Sequence, residues 1–222
     1  MLATVRVRQD KLRAYVPGAV VEALDGGGEL DSRQCDLTVM FVDIEGYSRF
    51  SEGRALEQVF TFISQYTEVV SSIVRAQGGQ IVEFNGDGMM AVFGAPQPLD
   101  GKEDRALRAA LEITSEIAST EIDSGGRPLR VGVGIATGHA YVGTIRAIDR
   151  SIWTALGETT NRAARLQALT RDLAAAIVVD ATTWRALGSK LPGFVRYDDQ
   201  RLRGLQRPHD LYVQPLEAKR VQ

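Results

Sequence analysis

The stretch Gln80-Ile-Val-Glu-Phe-Asn-Gly-Asp-Gly-Met-Met-Ala-Val-Phe-Gly94 constrains the fold more than any other part of the chain. Two apolar runs, Ile81 to Phe84 and Met89 to Phe93, flank Asn85-Gly-Asp-Gly88. Strand, two-glycine turn and strand is a hairpin signal, because glycine alone reaches the positive φ angles of a tight turn without steric cost. Asp87 is therefore expected at a hairpin tip, where a turn aspartate and a functional carboxylate are equally natural readings. A second acid shifts the balance. Leu37-Thr-Val-Met-Phe-Val-Asp43 reads as a buried strand ending in a carboxylate, followed by Ile44-Glu-Gly-Tyr-Ser-Arg-Phe50. Two acids at strand ends, each beside a glycine turn, can hold divalent metals over phosphates.

The rest of the chain supplies the elements around that hairpin. Ala55 to Ala76 has the spacing of a long amphipathic helix, with Val59, Phe60, Ile63, Val70, Ile73 and Val74 on one broad face and Gly78-Gly79 ending it. Lys102 to Thr120 is a second helix with Ala106, Ala109, Ala110, Ile113 and Ile117 inward. Leu129 to Ile135 alternates as a strand, and Ala136-Thr-Gly138 is expected to turn it into His139 to Gly143. Ser151 to Gly157 precedes a helix from Glu158 to Thr170. Ala174 to Val179 is a strand, Ala181 to Leu187 a short helix, and Phe194 to Tyr197 and Leu211 to Val213 are the last strands. The order β-α-β-β-α-β with additions predicts an α+β, ferredoxin-like (split βαβ) domain with a mainly antiparallel sheet over 37–222. Residues 1–36 read as an N-terminal helical extension, with Leu12, Val16, Val20, Val21 and Leu24 at helical spacing around Pro17-Gly18. It is either a docking or dimer-contact helix or a cover over the core.

Composition removes whole classes of function. A net charge of -2 argues against a nucleic-acid partner held by a basic field. No apolar run approaches the ~20 residues that span a bilayer, so no membrane partner is expected. The single cysteine, Cys35, rules out an internal disulfide and suits a cytoplasmic protein. With only His139 and His209, a histidine- and cysteine-based zinc site is not expected.

Four motifs occur in one order: Phe41-Val-Asp-Ile-Glu-Gly-Tyr-Ser48, Asn85-Gly-Asp-Gly88, Gly132-Val-Gly-Ile-Ala-Thr-Gly138 and Leu156-Gly-Glu-Thr-Thr-Asn-Arg-Ala-Ala-Arg165. Together they resemble the catalytic domain of class III nucleotidyl cyclases over roughly 37–215. The resemblance implies that Asp43 and Asp87, with the Ile44 carbonyl, bind two divalent cations, manganese or magnesium. These would neutralise an NTP's triphosphate, activate the ribose 3′-hydroxyl and stabilise the departing pyrophosphate. It also implies that Asn161 and Arg165 contact the ribose and the transition-state phosphate. They stand four apart on one helix face. Gly46, Ser48 and Arg150 match phosphate-contacting positions. The usual triphosphate lysine is replaced by Leu205, which leaves Arg203 or Arg207 to substitute. In this family the acids come from one subunit and the Asn/Arg pair from the other, which implies a head-to-tail homodimer.

Adenylate cyclases carry lysine where this chain has Glu83, and aspartate or threonine where it has Thr154. A carboxylate only accepts hydrogen bonds, whereas adenine presents an acceptor nitrogen beside its amine. Guanine and uracil present an N–H beside a carbonyl, which Glu83 and Thr154 match. Glutamate here resembles guanylate cyclases. Tyr47, in place of the family's phenylalanine, and Trp153 are candidates for narrowing the pocket toward a pyrimidine, and the stand-alone chain is similar to bacterial pyrimidine cyclases of anti-phage defence. The expectation is UTP, closely followed by GTP. The rival classes are a catalytically silent cyclase-homology domain, a ferredoxin-like RNA-binding module, and a diguanylate cyclase, whose Gly-Gly-Asp/Glu-Glu-Phe hairpin the chain lacks.

Overall fold

A computed structural model describes residues 21, 32–119, 129–146, 148, 151–189 and 191–216. The expected N-terminal helix lies outside these residues apart from Val21. Eight strands form one sheet: β1 (Arg33–Ile44), β2 (Gln80–Asn85), β3 (Gly88–Phe93), β4 (Val131–Arg146), β5 (Ser151–Leu156), β6 (Ala175–Asp180), β7 (Val195–Gln200) and β8 (His209–Pro215). The helices are α1 (Tyr47–Ser51), α2 (Leu56–Ala76), α3 (Lys102–Ser119), α4 (Glu158–Asp172) and α5 (Ala181–Ala186). The strands run β2-β3-β1-β4-β6-β8-β7, with β5 on β4. Within it β2-β3-β1-β4 is antiparallel throughout and realises the expected split βαβ plan. Among the described strands only β4 and β6 pair in parallel.

Two elements differ from their sequence reading. β4 is one continuous strand, with no turn at Ala136-Thr-Gly138. The cause is β1, which begins at Arg33 rather than Leu37 and pairs its first four residues with Val142 to His139. That partner holds Thr137 and Gly138 extended and draws Arg33–Asp36 into the sheet, ahead of the expected 36/37 boundary. On α2 the buried face is Phe62, Tyr66, Val70, Ile73 and Val74, and Phe60 is 75% exposed. The helix is rotated so that Phe62, which shares a turn with Phe60 but points inward, packs at a tilt against Phe50 with 4.1 Å between ring centroids.

Both sheet faces are covered. α2, α3 and α5 bury Met40, Val42, Ile44, Val133, Ile135 and their neighbours on one face. On the other, α4 lies against β4 through Ala163 and Leu166. Gly132 and Gly134 make that approach possible. A Cβ on Gly134 would fall 2.1 Å from the Gln167 backbone nitrogen, and one on Gly132 2.1 Å from Thr170 Oγ1. The Gly-Val-Gly of the third motif is therefore a helix-packing stripe, since closeness this tight admits no side chain.

Candidate active site

The hairpin brings the two acids together as expected. β2 and β3 are joined at Gly86, with φ 65°, and Asp87, and β3 lies antiparallel on β1 with Met89 opposite Val42. Asp43 is half-buried at the end of β1 opposite Gly132, and its carboxylate accepts a hydrogen bond from the protonated Asp87 carboxyl. Burial first, and then the Asp43 hydrogen bond and charge, push the Asp87 carboxyl from 3.8 up to about 6. Behind them Tyr66 is buried with its hydroxyl unpartnered among the described residues. Burial, followed by the charges of Asp43 and Asp87, holds its pKa well above the ordinary value.

Two crowded carboxylates share this place with a single guanidinium, that of Arg171 on Asp43, so negative charge is in excess. The donor set fits a hard divalent cation. No third His, Cys, Asp or Glu side chain joins the pair among the described residues. That suits an ion of the magnesium type, which takes one or two carboxylates and fills its shell from water and substrate oxygens. Ile44, whose side chain is wholly buried, follows Asp43 directly in the chain.

A cavity of about 250 Å³ opens beside Asp43, lined by Phe41, Glu83, Asn85, Met89 and Gln167 among others. Glu83 thus shares a cavity with Asp43. Thr154 is buried on β5 opposite Gly143, away from that lining. The two rings expected to narrow the pocket both make packing contacts within the chain. Trp153 is buried in the core cluster that also holds Leu37 and Ala163. Tyr47 stacks on Phe50 at 6.4 Å. Neither lines the cavity.

Asn161 and Arg165 are exposed on α4 and do not line it either. The Arg165 guanidinium lies beside the β7–β8 connection, 4.0 Å from where a Cβ of Gly204 would stand, so it neighbours the loop of Arg203. Leu205, at the position of the usual lysine, packs against the core. Gly46, with φ 80°, and Ser48 sit at the exposed turn into α1. Arg150 lies outside the described residues.

Sequence reading missed three groups. Arg171, on the last turn of α4, forms an ion pair with Asp43 across 128 positions of sequence. Its basic charge at a helix end reads as dipole compensation, so nothing local marks it. Asp180 accepts from Thr183 N at 2.8 Å and from Arg162 Nε at 2.8 Å, while Arg162 Nη2 donates to the Thr137 carbonyl at 3.1 Å. Asp180 capping a short helix was a readable signal. Its second role, anchoring the residue next to Asn161, was not. Tyr66 was hidden because its heptad-like spacing reads as plain core.

The sequence pattern of the adenylate and guanylate cyclase catalytic domain matches residues 31–214. The chain belongs to that family. This cyclase domain is 35% identical over 191 residues to Adenylate cyclase 1 of Rhizobium meliloti (strain 1021), over 79% of the chain and 29% of that protein. It superposes on a bacterial light-regulated adenylyl cyclase with a TM-score of 0.84 at 26% identity, covering 96% of the chain and 62% of the other. On the guanylyl cyclase Cya2 the TM-score is 0.71 at 25% identity, covering 86% and 96%. The cyclase domain thus spans under a third of the curated relative's length. No helix among its described residues is long and apolar enough to cross a membrane.

Proposed function

We propose that the chain is a nucleotidyl cyclase whose active site is assembled from two copies. The observation that carries this reading is a division of labour. Asp43 and Asp87 meet at one end of the sheet, while Asn161 and Arg165 are exposed on α4 outside the cavity beside them. A second subunit, head to tail, would bring its Asn161 and Arg165 over the first subunit's acids. Exposed Phe84 on β2, and Tyr141 opposite Leu156 on β4 and β5, supply apolar surface for that contact. In the reaction the NTP's ribose 3′-oxygen loses its proton and bonds to the α-phosphorus. The bond from that phosphorus to the bridging oxygen breaks, and pyrophosphate leaves. Two divalent cations on Asp43, Asp87 and the Ile44 carbonyl, when bound, would supply Lewis-acid stabilisation of these oxygens. Asn161 orients the ribose, and Arg165 meets the charge gathering on the α-phosphoryl oxygens. Gly46, Ser48, Arg150 and Arg203 hold the rest of the triphosphate. Arg203 is supported by the Arg165 guanidinium next to its loop.

For the base, Glu83 selects an N–H beside a carbonyl, that is uracil or guanine, and Thr154, outside this cavity in its own chain, would act from the second copy. Glu83 in the Asp43 cavity supports this reading. The further step to a pyrimidine rests on narrowing by Tyr47 and Trp153; neither ring lines the Asp43 cavity of one chain, so that cavity alone does not favour uracil over guanine. Cytoplasmic signalling is the proposed setting, with anti-phage defence attached to the uracil outcome. A second reading, adenine, is favoured by the relative named an adenylate cyclase. Competition among equal ATP, GTP, UTP and CTP with manganese, products weighed by mass spectrometry, separates all three. The expected result is cyclic UMP or cyclic GMP over cyclic AMP. Glu83→Lys is expected to weaken that preference about tenfold or more, the cost of one mismatched buried hydrogen bond. A wild-type preference for ATP sinks the base assignment, and absence of any cyclic product sinks the cyclase reading.

A further inference from the structure

We propose that Arg171 is the internal counter-cation of the Asp43–Asp87 site, holding an Asp43 carboxylate oxygen for which a divalent cation would compete. The proposal rests on the reading that these two acids bind cations. Its geometry is independent of that reading. The Arg171 guanidinium donates to Asp43 Oδ2. It reaches that oxygen because Gly132, opposite Asp43 on β4, admits Thr170 directly onto the strand. Arg171 is the next residue of α4. The last turn of the helix is therefore seated beside Asp43 by packing rather than by a chance surface encounter.

Competition follows from the atoms involved. A cation and a guanidinium cannot both sit on one oxygen lone pair, and each repels the other in a half-buried site. The Arg171 side chain is 55% exposed, so it has solvent to swing into when displaced. Cation binding then breaks the tie between α4 and β1. The alternative is that Arg171 only compensates the C-terminal dipole of α4, in which case cation binding ignores it.

The experiment is a Mn²⁺ titration of the nucleotide-free full-length chain, with free Mn²⁺ read by electron paramagnetic resonance. Arg171→Gln removes the charge, and Mn²⁺ is expected to bind about two- to fivefold tighter, the scale of a partly exposed ion pair. Arg171→Lys keeps a cation and should stay near wild type. Asp43→Asn should weaken binding in either background. Unchanged or weaker Mn²⁺ binding in Arg171→Gln overturns the proposal. Equal tightening in Arg171→Lys does so as well, because charge is then not the cause. If Asp43→Asn leaves Mn²⁺ affinity untouched, it is the metal assignment itself that fails.

Discussion

At Asp87, burial and a neighbouring carboxylate act in the same direction, and the consequence is a measurable pH dependence. Its carboxyl titrates near 3.8 when unfolded and at about 6 in the folded, cation-free chain. The native state therefore holds the proton more tightly, and stability falls as pH rises from about 4 to about 6. Asp87→Asn should flatten this part of the profile, seen as a wild-type-minus-mutant difference in urea unfolding that declines across that window. A difference that grows with pH there would contradict it. Cations need the deprotonated form, so Mn²⁺ affinity should fall as pH drops below about 6. Sequence alone marked both acids, because a hairpin tip and a strand end are local features. It had no means of marking Arg171 or Tyr66, whose roles depend on what the fold sets beside them.

At the scale of elements, α4 does most to connect fold and site. Its second turn is anchored by the Arg162–Asp180 pair, whose side chains are 11% and 4% exposed. Its middle lies on the Gly132-Val-Gly134 stripe, and its last turn reaches Asp43. From Asn161 to Arg171 the helix rises roughly 15 Å, enough to serve two different places. Arg162→Ala would leave Asp180 charged, buried and short of its partner. The expected cost is about 3–5 kcal/mol in urea unfolding, against the near-zero cost of a surface arginine. A loss below about 1 kcal/mol would mean that the pair contributes little to holding α4. The helix itself was legible from its pattern. Which arginine faces inward was not, because Arg162 and Arg165 look alike in a sequence and differ only in what they touch.

For the whole molecule, the proposed dimer makes a quantitative prediction. Asp43→Ala and Asn161→Ala chains should each be inactive alone. Mixed and allowed to exchange, half of the dimers are heterodimers, each with one intact site out of two. Activity should therefore recover to about a quarter of wild type. Demonstrated subunit exchange without recovery would refute the shared site. Neither side chain is needed to seat α4, which packs on the Gly132-Val-Gly134 stripe, so both variants should remain folded and dimeric by light scattering.

The sequence by itself determined what is local and periodic. The hairpin tip at Asp87, the acid closing β1, the inward face of α3 and the split βαβ order all follow from side-chain period and turn chemistry, which act over a few residues. Tertiary structure decided the rest. β4 runs straight through Gly138 because β1 pairs along it, and Phe60 faces out because Phe62 fills the place beside Phe50. Trp153 joins the core and Tyr47 meets Phe50, while Arg171 becomes a neighbour of Asp43. Each of these depends on which surfaces meet across tens of residues of chain, and no local pattern carries that information.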